Sequence, residues 1–378
     1  MKKVVILQNR LFHYRTNLFE QLRGTCAMRG IELHLVHGQA SRRESTKNDE
    51  ATLPWANRVS NRFWEIGALD IIWQPYSASL KGADLIVIMQ ENRILSNYPL
   101  LLSRMCSPCK VAYWGHGKNF QSDAPAGLRE RWKNFLLNRV DWWFAYTDVT
   151  ADILGKAGFP AERITCLDNS IDNEGFNLDL ASIPNNRLSE LREKINANDK
   201  SRIGLFCGSL YPDKRLEYMI EAADQIHMEL PNFKLLVIGD GAGASQINAA
   251  ATSRDWLKYL GVKKGVEKAA YFRLAHVVFN PGACGLHILD AFCAGIPIAT
   301  TLEARHGPEI AYLKDGQNGI VTRGGPENYA NQIISLLSDP AKYRYLCLGA
   351  KETALRYTLK NMVNRFASGI EKCLAFRE

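Results

Sequence analysis

Short apolar runs recur along this chain, each followed by a polar or glycine-bearing turn and then by residues at helical spacing. Val4–Gln8 leads into a helical pattern over Thr16–Arg29, and Glu32–Val36 follows. Ala83–Met89, Lys110–Tyr113 and Trp142–Tyr146 continue the series. After a polar stretch, Asp172–Lys200, it restarts at Ile203–Cys207, Leu235–Ile238, Val277–Phe279 and Ile298–Thr300. Apolar runs this short alternating with helices read as parallel, doubly wound α/β sheets. At 378 residues the chain is too long for one core of usual size, so two such domains are expected. The polar stretch reads as the break between them. Ligands of such sheets sit beyond the carboxyl ends of the strands, which makes the post-strand loops the places to look.

The densest of these loops lies within Asn280–Pro297. Strand Val277–Phe279 runs into Gly282-Ala283-Cys284-Gly285-Leu286, and a helical pattern opening at Leu286 ends at Gly295 and Pro297. Unbonded amides at a helix start, with no Cβ in the way, make an anion site. Asp290, read in the second helical turn, is placed to accept from a ribose hydroxyl. An ordinary strand-to-helix turn would look the same. Gly208-Ser209-Leu210 precedes Lys214 and Arg215, whose cations at a helix start suit a diphosphate. Gly239-Asp240-Gly241-Ala242-Gly243 is a glycine turn after the next strand, and Arg305-His306-Gly307-Pro308-Glu309 follows Ile298–Thr300.

In the first half, Arg10, His13 and Arg15 form either a solvated basic loop or a contact for a phosphate or sugar acceptor. Gln90-Glu91-Asn92-Arg93 offers a carboxylate to orient an acceptor hydroxyl, act as a base, or cap a helix. Trp114-Gly115-His116-Gly117-Lys118 leaves the imidazole accessible between glycines.

Composition excludes several classes. No apolar run reaches the roughly 18 residues needed to span a bilayer. The start reads as a first buried strand rather than a leader. Nine cysteines at irregular spacing point to reduced thiols in a cytoplasmic setting, and Cys106-Ser-Pro-Cys109 has no second pair to make a zinc site. A net charge of +8 suits an anionic small ligand or an acidic membrane face and is too dispersed for nucleic acid. Leu128, Trp132, Phe135 and Leu136 share one helical face among basic residues, the pattern of an interfacial helix or of a helix packed on the sheet.

Taken in order, these motifs resemble those of GT-B fold glycosyltransferases, most nearly the retaining family four. The matching residues are Asp168-Asn169-Ser170-Ile171-Asp172, Gly208-Ser209-Leu210 with Lys214-Arg215, Val237-Ile238-Gly239-Asp240-Gly241, and Gly285-Leu286 through Asp290-Ala291. Gly295-Ile296-Pro297 and Glu309 to Asn318-Gly319 complete the set. The resemblance implies two Rossmann-like domains facing across a cleft: an acceptor domain over 1–172, a nucleotide-sugar domain over 173–356, and a helix over 357–378 returning to the first. It implies that Lys214 is the basic residue for the donor diphosphate and that Asp290 replaces the second glutamate of the family's E-x7-E motif. Gly282 stands where the first glutamate is expected, and Ser209 where an arginine is common. His116 resembles the histidine that faces the donor sugar.

The resemblance further implies sugar transfer, with retention, from a UDP- or GDP-linked donor to a glycan or lipid-linked glycan, without a metal or cofactor. It points to surface-polysaccharide synthesis at the inner face of the cytoplasmic membrane, with the protein peripherally associated. Expected donor contacts are Ser209, Lys214, Arg215, Gly239, Gly241, Gly282, Ala283, Cys284, Gly285, Leu286 and Asp290. Expected acceptor contacts are Arg10, His13 and Arg15, and His116, Lys214 and Glu91 are the expected catalytic groups. A nucleotide-sugar epimerase and a non-catalytic nucleotide-sugar binder are the alternatives. A dehydrogenase is disfavoured because no strand leads into a complete GxGxxG.

Overall fold

The computed structural model describes residues 1–45, 49–67, 69–76, 78–117 and 135–377. The chain forms two compact units, one built from Met1–Asp172 with Leu359–Glu378 and the other from Asn173–Thr358.

In the first unit, strands β1 (Lys2–Gln8), β2 (Ile31–His37), β3 (Asn57–Arg58), β6 (Leu85–Met89), β7 (Lys110–Gly115), β8 (Trp142–Ala145) and β9 (Ile164–Cys166) form one sheet. Its order is β3-β2-β1-β6-β7-β8-β9 and all its pairs are parallel. The order reverses between β1 and β6, so the loops after these strands flank the switch point. Between β3 and β6 the chain adds an antiparallel hairpin, β4 (Arg62–Ile66) and β5 (Leu69–Trp73), that the sequence reading did not anticipate. Leu128 and Trp132 of the interfacial-helix pattern, with Lys118, lie outside the described residues.

The last helix runs over Leu359–Ala375, two residues later than expected, and packs against helix Thr16–Met28. Its apolar face, Met362, Val363, Phe366, Ala367 and Ile370, enters the core beside Trp114 and Phe144. Phe366 meets Trp114 edge-on at 5.0 Å and Phe144 at 4.6 Å between ring centroids. Gly369 completes the fit, because a Cβ there would run into Thr165 and Phe144.

The second unit holds β10 (Arg202–Cys207), β11 (Phe233–Ile238), β12 (Leu257–Gly261), β13 (Val277–Phe279), β14 (Ile298–Thr301) and β15 (Gly319–Thr322). Their order, β12-β11-β10-β13-β14-β15, is the doubly wound arrangement with its switch point between β10 and β13. The polar stretch opens at the boundary between the units, and it is mostly helical, Asn173–Ser182 and Asn185–Lys194. Phe176, Leu180, Leu191 and Ile195 are buried there. Pro184, extended at the second helix's N-cap, separates the two. Sparse apolar residues at helical spacing were enough, because each buries against the unit's own core. Among the described residues no helix is long and apolar enough to cross a membrane.

Phe366→Ala, a full truncation in a filled core, is expected to lower stability by about 3–5 kcal/mol in chemical denaturation. A loss well under ~1 kcal/mol would show that the last helix is only loosely held.

Candidate functional site

In the second unit the loops after β10 and β13 meet at the switch point. Ala283 donates its N–H to the Asp213 carbonyl at 2.9 Å, and the Lys214 ammonium donates back to the Ala283 carbonyl at 2.5 Å. Gly282 sits so close to the backbone of Asp213 and Lys214 that an added Cβ would overlap both. The glycine there is a packing requirement of the two loops. A glutamate in its place would need them to separate.

The neighbouring glycines serve the same end. Gly239 and Gly241 have φ of 145° and 149°, a region that disfavours side chains, and they press on the carbonyls of Gly208 and Leu210. Leu210 donates to the Asp240 carbonyl at 2.8 Å, tying the β10 and β11 loops together.

Two expectations change. Lys214 closes a short 3-10 turn, Pro212–Lys214, and Arg215 has left-handed backbone (φ 55°) before helix Leu216–Glu229 begins. The Arg215 guanidinium bonds Thr301 Oγ1 at 2.7 Å and lies 4.3 Å over the Tyr218 ring. The helix after the β13 loop starts at Ile288, not Leu286, and has seven residues, which puts Asp290 in its first turn. The Ile288 and Leu289 amides are taken by the Gly285 and Leu286 carbonyls. The amides of Gly285, Leu286 and His287 take no protein acceptor among the described residues. The open amides therefore belong to the turn ahead of the helix, and not to the helix itself. Open space surrounds the missing Cβ of Gly285.

Asp290 is 6% exposed, and Lys268 from helix Gly265–Leu274 bonds it at 3.1 Å. Burial holds its carboxyl above the ordinary value, against the pull of Lys268. No motif marked Lys268; it reaches Asp290 only because its helix lies beside the one carrying Asp290. His306 was part of a recognised motif without an assigned role. It clasps the loop by accepting from the Cys284 N–H at 3.2 Å through Nδ1 and bonding the Thr301 carbonyl at 2.7 Å through Nε2. That geometry needs a neutral ring carrying its proton on Nε2. Thr301 in turn donates to the Pro281 carbonyl at 2.7 Å. Burial raises the Cys284 thiol to about 12, which makes it an inert wall of the loop. Ser209 is exposed on the β10 loop.

The first-unit candidates behave differently. Arg10 is buried, paired with Asp49 at 2.6 Å and set over the Phe12 ring at 4.3 Å. Arg15 is buried too, bonding the Tyr146 hydroxyl at 3.1 Å and lying 4.5 Å from the Trp114 ring centroid. Both are internal struts, and neither forms the solvated or ligand-facing basic loop expected of them. His13 stays exposed, its Nδ1 3.2 Å from the Asp49 carbonyl oxygen. Glu91 accepts from Arg93 at 2.7 Å, and Arg93 reaches Glu44 at 3.1 Å. The His116 ring packs edge-on against Tyr146 at 4.0 Å.

Residues 189–353 match the family model described as Glycosyl transferases group 1. The second unit thus carries a match to a group 1 domain, in a chain with the GT-B fold. Alpha-monoglucosyldiacylglycerol synthase of Acholeplasma laidlawii is 24% identical over 166 residues, 42% of this chain and 41% of that one. D-inositol 3-phosphate glycosyltransferase of Nocardiopsis dassonvillei is 25% identical over 266 residues, 66% of this chain and 60% of that one. The chain thus spans about half the length of the curated relatives it matches. Among solved structures, Anabaena HepE in complex with UDP superposes with a TM-score of 0.70 over 98% of this chain and 100% of that one, at 17% identity. At that identity the likeness concerns the fold. The group 1 match contains both loops of the switch point.

Two histidines of this domain are held neutral by burial, His287 lowered to about 3 and His276 to about 4. Unfolded histidines protonate near 6.5, so the unfolded chain binds more protons between about 6.5 and 4. Stability is therefore expected to be full above about pH 6.5 and to fall as pH drops towards 4, with His276→Gln flattening the slope. Denaturation midpoints measured across that range check it, and a flat profile would contradict the burial of these rings.

Proposed function

We propose that the chain transfers a hexosyl unit from a nucleotide-diphosphate sugar, UDP- or GDP-linked, to a hydroxyl of a glycan or lipid-linked glycan, with retention at the anomeric carbon. The observation that carries this reading is the contact of Lys214 with Ala283 at the switch point of the second sheet, two residues before a turn, Gly285–His287, whose amides take no protein acceptor among the described residues. Fold likeness alone would not support an activity, since one fold hosts many.

Breaking the sugar–phosphate bond builds negative charge on the departing diphosphate. A fixed ammonium and oriented amides stabilise that charge without reorganising. In this reading Lys214 and the amide turn receive the diphosphate, leaving no step that needs a metal. Asp290, oriented by Lys268, accepts from a ribose hydroxyl. Gly282 brings no carboxylate to the sugar, so sugar contacts come from other groups. His13, Glu91 and His116 are the first-unit side chains we assign to the acceptor side. Surface-polysaccharide synthesis and peripheral association with the inner membrane face, in a cytoplasmic protein, complete the proposal. HepE was solved with UDP and with UDP-glucose, which supports a uridine donor as the first to try.

Lys214→Ala is expected to slow transfer or donor hydrolysis about 10²-fold or more, on the scale of removing one oxyanion-type donor. Turnover measured with UDP- and GDP-sugars, with and without glycan acceptors, checks this. An unchanged rate in a folded Lys214→Ala variant would remove the lysine from the mechanism. Conversion of the donor sugar without transfer would replace the proposal by epimerisation.

A further inference from the structure

The β4–β5 hairpin wears its apolar side outward. In an antiparallel pair, directly opposed residues share a face. The register pairs Arg62 with Trp73, Trp64 with Ile71 and Ile66 with Leu69 on one face, and Phe63 with Ile72 and Glu65 with Asp70 on the other. The second face is the anchored one. Ile72 is buried, and its backbone is tied to Arg93 and Leu95. Asp70 is buried, accepts from Ser41 and lies 3.5 Å from Arg43. Glu65 pairs with the same arginine at 3.2 Å.

The first face carries two tryptophans and three aliphatic side chains. Trp64 is 48% exposed, Ile66 61% and Leu69 41%, so exposure is greatest at and beside the turn. Arg62 is the single charged residue on that face, at its base.

The size of the patch narrows what covers it. Two five-residue strands cover roughly 16 Å by 10 Å. Such a face exposes on the order of 300–400 Å² of apolar surface. A stable dimer needs about 800 Å² from each partner. A lipid surface needs only insertion of a few side chains. Tryptophan rings suit the boundary between headgroups and acyl chains, and an arginine at the base keeps its head in water.

We propose that this hairpin docks the protein on a lipid surface by inserting Ile66, Leu69 and Trp64, with apolar burial rather than charge as the driving force. The inference gives the membrane association in the proposed function a surface of its own, and it does not depend on the donor site.

The test is co-sedimentation of the full chain with phosphatidylcholine vesicles, and with vesicles also containing phosphatidylglycerol, at low and high salt. Wild type is expected to sediment with both, with little effect of salt. The Ile66→Asp/Leu69→Asp double variant is expected to lose roughly tenfold or more of that binding. Melting and UDP titration on the same samples separate this outcome from misfolding and from failure of the donor assignment. No sedimentation of wild type would overturn the proposal, as would equal sedimentation of the variant. Binding confined to anionic vesicles at low salt would assign the membrane contact to charge elsewhere. A dimer that the double variant dissolves, with no vesicle binding, would assign the face to a second copy of the chain.

Discussion

The candidate site depends on how closely the β10 and β13 loops approach each other. At Gly282 the two backbones are in contact, and the reciprocal bonds between Asp213, Lys214 and Ala283 hold them there. Around that contact everything else is arranged. Thr301 and Arg215 brace the loop from β14 and from the β10 side, and His306 clasps it at Cys284. The product is a short turn, Gly285–His287, whose amides take no protein acceptor among the described residues, two residues after the Ala283 carbonyl that the Lys214 ammonium bonds. If the proposed diphosphate binds here, the site is organised before its ligand arrives, which is what electrostatic stabilisation of a leaving group requires.

The doubly wound order explains why these residues meet at all. At the switch point, the connections from adjacent strands leave in opposite directions and open a crevice between them. Lys214 and Ala283 are 69 residues apart in sequence and in hydrogen-bond contact in space. The same topology in the first unit places the loops after β1 and β6 at its own switch point. There, however, the cations are committed inward: Arg10 to Asp49 and Arg15 to a box of aromatic rings.

Much of this was legible in the sequence. The apolar runs marked most of the long strands, and the glycine loops carrying Lys214 and preceding Asp290 stand at the carboxyl ends of β10 and β13. What stayed hidden has physical reasons. Whether an arginine is solvated or buried depends on partners such as Asp49 and Tyr146, far away in sequence. Gly282 looked like a lost glutamate because a close backbone approach leaves no trace in a one-dimensional pattern. Lys268 had no motif, since its role comes from the packing of two helices. The β4–β5 hairpin escaped notice because its apolar residues alternate outward, against the usual rule. The helices over 173–194 hid in a polar composition that their few buried residues outweigh.

The most direct test of the site is a titration of the full chain with UDP and, separately, with uridine. If Lys214 and the Gly285–His287 turn receive a diphosphate, UDP binds much more tightly than uridine, and the advantage shrinks when Lys214 is replaced by alanine. Equal affinity for the two ligands, or no binding of UDP while the protein remains folded, would contradict the account.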